Sequence, residues 1–249
     1  MIPAAIADHV ILRSTVGSTV HGLHLASQDD RDEMGVYIEP PEYVIGLNRL
    51  DHYVERTQPE GVRSGPGDLD LVLYSLRKWM RLALKGNPTA LLLLFAPPLE
   101  KTEWGEKLVN LTPAIVSQQA ARPFVGYLNA QKHRLLGLTG GKHTNRPELV
   151  AAHGFDTKYA MHAVRLGLQG IELLTTGRIT LPMPEPDRSK VLALRRGEMS
   201  FGEAVAYLDA VELRLGEVAN GETRRLREYP DYSAVGQFLL DAYRGQWGW

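Results

Sequence analysis

Residues 16–36, VGSTVHGLHLASQDDRDEMGV, decide how the rest of this chain is read. Gly17-Ser18 follows a β-forming segment, a polar interval comes next, and Asp30 and Asp32 stand at the mouth of a second hydrophobic stretch. Side chains two apart along a strand point the same way, so Asp30 and Asp32 project together while Arg31 turns to the other side. Paired carboxylates suit a hard divalent cation, and magnesium needs only one or two of them when substrate phosphates supply further oxygens. Gly17 lets the backbone approach a phosphate because no side chain stands in the way. Ser18 adds a hydroxyl and a backbone N–H, and a short helix starting there would favour negative charge through its dipole. The stretch reads as a phosphate cradle followed by a cation site.

An EF-hand is excluded on the same residues. Counted from Asp30, Gly35 falls correctly at the sixth position, but Met34 and Pro41 stand where the fifth and twelfth ligands are required. Taken alone, the Asp pair fits a solvated acidic turn equally well; Gly17-Ser18 ahead of it favours the cation site.

The ordered set Gly17-Ser18, Gly22-Leu23, Asp30-x-Asp32, Gly35-Val36 resembles the signature of the DNA polymerase β-type nucleotidyltransferase superfamily. Within it, the set is similar to a branch of nucleotidyltransferases associated with RNA repair in bacteria and phages. In that branch a Ser directly precedes the first Asp, whereas Gln28-Asp29 stands here. The first ligand is therefore Asp29 or Asp30, and the spacing to Gly35 favours Asp30.

The resemblance implies a third metal-binding carboxylate on a strand beside the first two. Residues 68–74, DLDLVLY, alternate as a strand, with Leu69, Leu71 and Leu73 on one face and Asp68, Asp70 and Val72 on the other. A carboxylate inside a strand is costly unless paired or bound to metal, which makes Asp70 the candidate. The plain alternative puts Asp68 and Asp70 in water on an edge strand. Gly86-Asn87-Pro88 before the leucine run of residues 91–94 also resembles the branch. Ser75 and Asn87-Pro88 start helices there that back the sheet.

Before residue 100, strands are expected at 9–16, 33–38 and 68–74, with a hairpin or irregular excursion over 42–67. Afterwards the strand signal fades, and helices are expected at 103–109, 113–120, 123–136, 156–175, 201–218 and 234–243. Ser200 and Glu203 make a capping box, and the proline-rich interval 181–186 reads as a linker or strap. On the helix of residues 156–175, Met161, Val164, Leu168 and Ile171 form an apolar seam, while Lys158, His162, Arg165 and Gln169 recur on an adjacent face. A Lys and an Arg two turns apart with a His between suit a triphosphate or a polynucleotide backbone; a solvated face has the same spacing. Lys158, Met161-His162 and Arg165-Leu166 look like the matching stretch of the RNA-repair branch, and the resemblance favours ligand binding. GLTGGKHTNR, residues 137–146, is not a P-loop, since Leu136 and His143 occupy positions that require Gly and Ser or Thr. It reads as a basic loop or a plain surface turn. His21 and His24 lack partners at zinc-like spacing.

The composition excludes several classes of function. With 249 residues, of which 44% are hydrophobic, the chain can bury a sizeable core. A net charge of −1 gives no bulk attraction to nucleic acid, although the cations are mostly Arg, which grips phosphate in bidentate fashion. The absence of cysteine excludes disulfides, thiolate metal sites and a Cys nucleophile. Gly-x-Ser-x-Gly is absent too. No signal-like segment opens the chain, and the longest apolar run, residues 90–98, is too short to cross a bilayer, so a soluble cytoplasmic protein is expected.

The expected fold class is α+β: a small mixed β-sheet core backed by helices at residues 1–100, followed by an all-helical half at 101–249 that binds nucleotide or substrate. The resemblance implies a metal-dependent nucleotidyltransferase acting on a nucleoside triphosphate such as ATP. In that reading Asp30, Asp32 and Asp70 bind two Mg2+ ions, replaceable by Mn2+, and Gly17 and Ser18 hold the β and γ phosphates. Lys158, His162 and Arg165 contact the nucleotide or the acceptor, which is expected to be an RNA or tRNA end, with no membrane partner. The alternatives are a toxin-like transferase modifying tRNA or a protein, and an inactive nucleotide-binding module. No oligomeric state follows from the sequence.

Overall fold

One mixed five-stranded sheet runs in the order β3-β4-β2-β1-β5, built from β1 (Val10–Thr15), β2 (Arg31–Tyr37), β3 (His52–Arg56), β4 (Leu69–Ser75) and β5 (Pro98–Lys101). The computed structural model describes residues 3–25, 30–62, 64–138, 146–221 and 225–249. Asp29, Arg63 and the Gly141-Lys142 loop therefore lie outside the described residues. β2 pairs in parallel with β4, and every other pairing is antiparallel. Being central, β2 is buried from Glu33 onward, whereas its first residues stay accessible at the end of the sheet. That leaves polar side chains room at one end of an otherwise apolar strand.

The strands expected at 9–16, 33–38 and 68–74 are β1, β2 and β4. β3 falls within the hairpin or excursion expected over 42–67, which had no strand bounds of its own; its sequence HYVER alternates exposed with half-buried because β3 is an edge strand. One strand goes beyond the expectation. β5, PLEK, is a mostly exposed edge strand held by backbone pairing to β1, so no hydrophobic period marks it.

The chain forms two compact units, Met1–Val116 with Tyr229–Trp249, and Ser117–Glu228. In the first, α1 (Ala4–Ala7), α2 (Gly17–Val20), α3 (Pro41–Val44), α4 (Leu76–Leu84), α5 (Pro88–Leu92), α6 (Glu103–Asn110) and α7 (Thr112–Ile115) accompany the sheet. Ser75 and Asn87 cap α4 and α5 with their side chains, as their positions predict. Ile6, Val10, Tyr37, Leu71 and Leu73 form a buried cluster, the two leucines being the apolar face of β4. Trp79 is fully buried, and its indole N–H donates to the Ala90 carbonyl at 3.2 Å, which fixes α4 against α5.

In the second unit, α8 (Ala121–Leu135), α9 (Pro147–His153), α11 (Asp187–Arg195) and α12 (Phe201–Asn220) pack around α10 (Thr157–Thr176). A Cβ on Gly167 of α10 would lie 2.3 Å from Val211 and 2.8 Å from Leu128, so glycine lets α8 and α12 come close. α9 and α11 were not anticipated from the sequence. The capping box of Ser200 and Glu203 is formed at the start of α12.

The last helix, α13 (Tyr232–Trp247), belongs to the first unit. Buried Glu39 explains part of this. The Tyr243 hydroxyl donates to its carboxylate at 2.6 Å, and the Trp247 indole N–H donates to its carbonyl at 2.9 Å. A buried carboxylate without such partners would destabilise the fold. The compact units thus divide the chain at other positions than the expected segments 1–100 and 101–249. All residues after β5 are free of strand among those described, so the C-terminal half is helical.

Candidate active site

Strand register brings the acidic residues together. Asp32 of β2 pairs with Asp70 of β4, and Asp70 pairs in turn with Arg56 of β3. Directly paired residues on adjacent strands lie about 5 Å apart and share a face of the sheet. Asp32, Asp70 and Arg56 thus form one row across three strands. The Arg56 guanidinium Nε donates to Asp70 Oδ1 at 3.2 Å, closing the row with a charge pair. Asp68 lies outside it. Its carboxylate accepts from the Gly65 backbone N–H at 2.9 Å and the Thr57 hydroxyl at 2.8 Å, bonds that hold its pKa below the ordinary value and brace the loop before β4.

The Gly-Ser turn meets the row at Asp32. The Val16 backbone N–H donates to the Asp32 carbonyl at 2.9 Å. Gly17 has φ +67°, and a Cβ there would lie 1.9 Å from Asp32 Oδ2, so the Asp32 carboxylate rests directly against a backbone stripped of its side chain. α2 is a single turn starting at Gly17, and the Leu23 N–H donates back to the Ser18 carbonyl at 3.0 Å, folding Gly22-Leu23 onto it. Ser18 is half-exposed beside Asp32's partner Gly17. His21 is buried and His24 exposed.

Asp30 is half-buried immediately ahead of β2, two residues from Asp32. Among the described residues, no three His, Asp or Glu side chains lie close enough to hold a metal ion. Asp32 and Asp70 offer hard oxygen donors on one face, which fits a magnesium-type ion completed by water and phosphate oxygens. Glu33, the other acidic residue of β2, points to the opposite face. It is buried and paired with Arg31 at 3.0 Å and Arg13 at 3.7 Å, a bracing role at the β1–β2 junction.

The second unit holds a separate cationic cluster. Asp156 caps α10, accepting from the N–H groups of Lys158 and Tyr159, and its carboxylate also receives Arg146 Nε at 3.0 and 3.1 Å. Arg146 stacks over the Tyr159 ring at 4.5 Å. Two turns on, Arg165 donates to Gln169 Oε1 at 3.0 Å, with its other terminal nitrogen 3.4 Å from His162 Nδ1. Burial first, then the charges of Arg165, Lys158, Arg146 and Arg195, push the His162 pKa well below its ordinary value. Burial lowers Arg165 to about 10, which leaves it charged at neutral pH. Lys158, His162 and Arg165 share the α10 face that their spacing predicts. Arg146 and Arg195 were missed, because they come from the approach to α9 and the end of α11 and have no sequence period linking them to α10. The run of basic residues ending at Arg146 was the one available signal.

The paired carboxylates against a glycine-serine turn, on a mixed sheet backed by helices, have the make-up of a phosphate-handling site. The chain matches the family model described as RNA repair pathway DNA polymerase beta family over residues 4–208. It belongs to that family, and so to the polymerase β-like nucleotidyltransferases, whose substrate is a nucleotide. A solved nucleotidyltransferase-like protein from Exiguobacterium sibiricum 255-15 aligns with 96% of this chain and 75% of its own at 12% identity, with a TM-score of 0.31. No curated protein matches. Among the described residues no helix is long and apolar enough to cross a membrane.

Proposed function

We propose that the chain moves a nucleoside monophosphate from a nucleoside triphosphate to an acceptor hydroxyl, releasing pyrophosphate, at the row formed by Asp32 and Asp70. The observation that carries this reading is the paired register of the two carboxylates, one of them resting on Gly17. Asp32 and Asp70 supply oxygen ligands for divalent cations, Mg2+ or Mn2+, and Asp30, two residues ahead of Asp32, joins them only if its side chain moves towards the pair. Such cations, when bound, neutralise phosphate charge and make the acceptor oxygen a better nucleophile. Gly17 and Ser18 bind the β and γ phosphates through backbone N–H and hydroxyl groups. Arg56 offsets the repulsion between the neighbouring carboxylates until cations do so. Lys158 and Arg165 take up phosphate charge of the nucleotide or the acceptor. His162, kept neutral, offers them a hydrogen-bonding partner without adding charge. The acceptor hydroxyl loses its proton to solvent and its oxygen bonds to the α-phosphorus as the bond from that phosphorus to the bridging oxygen of pyrophosphate breaks. The family description's RNA repair pathway favours an RNA end as the acceptor, and a tRNA end is the narrower form of that reading.

The test is incubation with each α-labelled nucleoside triphosphate, Mg2+ and total RNA. Label should enter RNA with the wild-type chain and vanish with Asp32→Asn, whose melting temperature stays near wild type. A fully active Asp32→Asn would remove the site.

A further inference from the structure

The outer face of α8 is unlike the rest of the second unit. Phe124 and Leu128 point into the unit and are buried, while Arg122, Gly126, Ala130 and Arg134 form the opposite ridge at spacings of four residues. Tyr127 and Gln131 stand beside this ridge, and together these residues line a depression of about 630 Å³. Tyr127 is 41% exposed, and a Cβ on Gly126 would meet nothing within 4 Å, so the floor is open.

Charge marks the occupant. The 15 residues of α8 include no carboxylate. Lys132, turned away from the depression, is neutralised by Asp209 at 2.7 Å and by Glu212 of α12. Arg122 and Arg134 have no carboxylate within ion-pair distance among the described residues. Twelve helical residues separate them, about 18 Å at 1.5 Å per residue. That is the length of roughly five stacked nucleotides at 3.4 Å each. A shallow helix face with a cation at each end and an aromatic ring and a side-chain amide between them matches how proteins hold single strands: guanidinium on phosphate, base on ring, amide on base edge.

We infer that this face of α8 binds single-stranded RNA, with Arg122 and Arg134 on the backbone and Tyr127 stacked on a base. The inference rests on the proposed RNA acceptor but concerns a surface outside the carboxylate row, so binding is measured apart from transfer. The probe is a fluorescein-labelled twelve-nucleotide RNA of mixed sequence, titrated with the full chain without nucleotide or metal, and read by anisotropy at several salt concentrations. In Arg122→Gln/Arg134→Gln the slope of log affinity against log salt should shrink by about 1.4, since each lost phosphate contact on a single strand is worth about 0.7. Tyr127→Leu should weaken binding about fivefold or more with the slope unchanged. Lys107→Gln, on α6 and paired with Glu103, should bind as wild type. Asp32→Asn should bind normally while failing to transfer label, which separates loss of this surface from failure of the catalytic reading. Wild-type affinity and slope in the double Arg variant, with circular dichroism showing it folded, would overturn the inference. So would tighter binding of an RNA duplex, or equal competition by poly-glutamate, which would assign the face to a duplex or to an acidic protein.

Discussion

Gly17→Ala separates the backbone demand of the Gly-Ser turn from its contact with Asp32. Alanine at φ +67° incurs the left-handed penalty, about 1 to 2 kcal/mol. For a chain of this size that lowers Tm by about 2 to 4 °C per kcal/mol. The second effect is local. The new methyl would lie 1.9 Å from Asp32 Oδ2, 2.7 Å from Cγ and 2.9 Å from Cβ. Rotating the carboxylate relieves the first two contacts but not the third, so turn and strand must separate, and the carboxylate moves by about 1 Å. A displacement of that size costs on the order of a hundredfold in rate. Gly61→Ala is the control, because Gly61 has φ +78° and nothing within 4 Å of an added Cβ. Gly61→Ala should lose only the backbone penalty in thermal melts, Gly17→Ala that penalty plus about 1 to 3 kcal/mol for the forced separation, and only Gly17→Ala should lose label transfer, by about two orders of magnitude. Equal activity in the two variants would refute the claim that Gly17 positions Asp32.

The other predictions concern the charged groups. Arg56→Gln frees Asp70 from a partly exposed ion pair, worth at most about 1 kcal/mol, so the Mg2+ concentration for half-maximal transfer should fall by up to about fivefold with little change in Tm; a higher requirement would show that Arg56 serves the substrate instead. Lys158→Ala and Arg165→Ala should each raise the KM for nucleotide or acceptor, and unchanged kinetics would return that face to solvation. Because His162 binds a proton less readily folded than unfolded, its contribution to stability is complete above the unfolded value near 6.5 and is lost as pH falls below it. Between pH 7 and 5, Tm should therefore fall more steeply in wild type than in His162→Gln, and pyrophosphate, by supplying negative charge, should reduce the difference. Parallel melting curves for the two proteins would show that His162 does not feel the surrounding cations.

Elements that bury an apolar face were legible. β1, β2, β4, α4, α10 and α12 carry clear periods or caps, and each appears within a few residues of its expected bounds. β3 and β5 were not, because edge strands are held by backbone hydrogen bonds that any side chain permits. α13 gave a helical pattern but no sign of its docking, which depends on a tyrosine and a tryptophan reaching Glu39, more than two hundred residues earlier in the chain.

By itself, the sequence determined which chemical groups the site can use: oxygen donors spaced two apart, a glycine-serine turn, cations two turns apart on α10, and no thiol. Those follow from residue type and local period. Only the tertiary structure decided which groups meet. The parallel pairing of β2 with β4 sets Asp32 rather than Asp30 opposite Asp70, brings Arg56 in from an edge strand, and the packing around α10 adds Arg146 and Arg195 to the cationic cluster. Register between strands distant in sequence is fixed by the burial of whole faces, and no stretch of neighbouring residues encodes it.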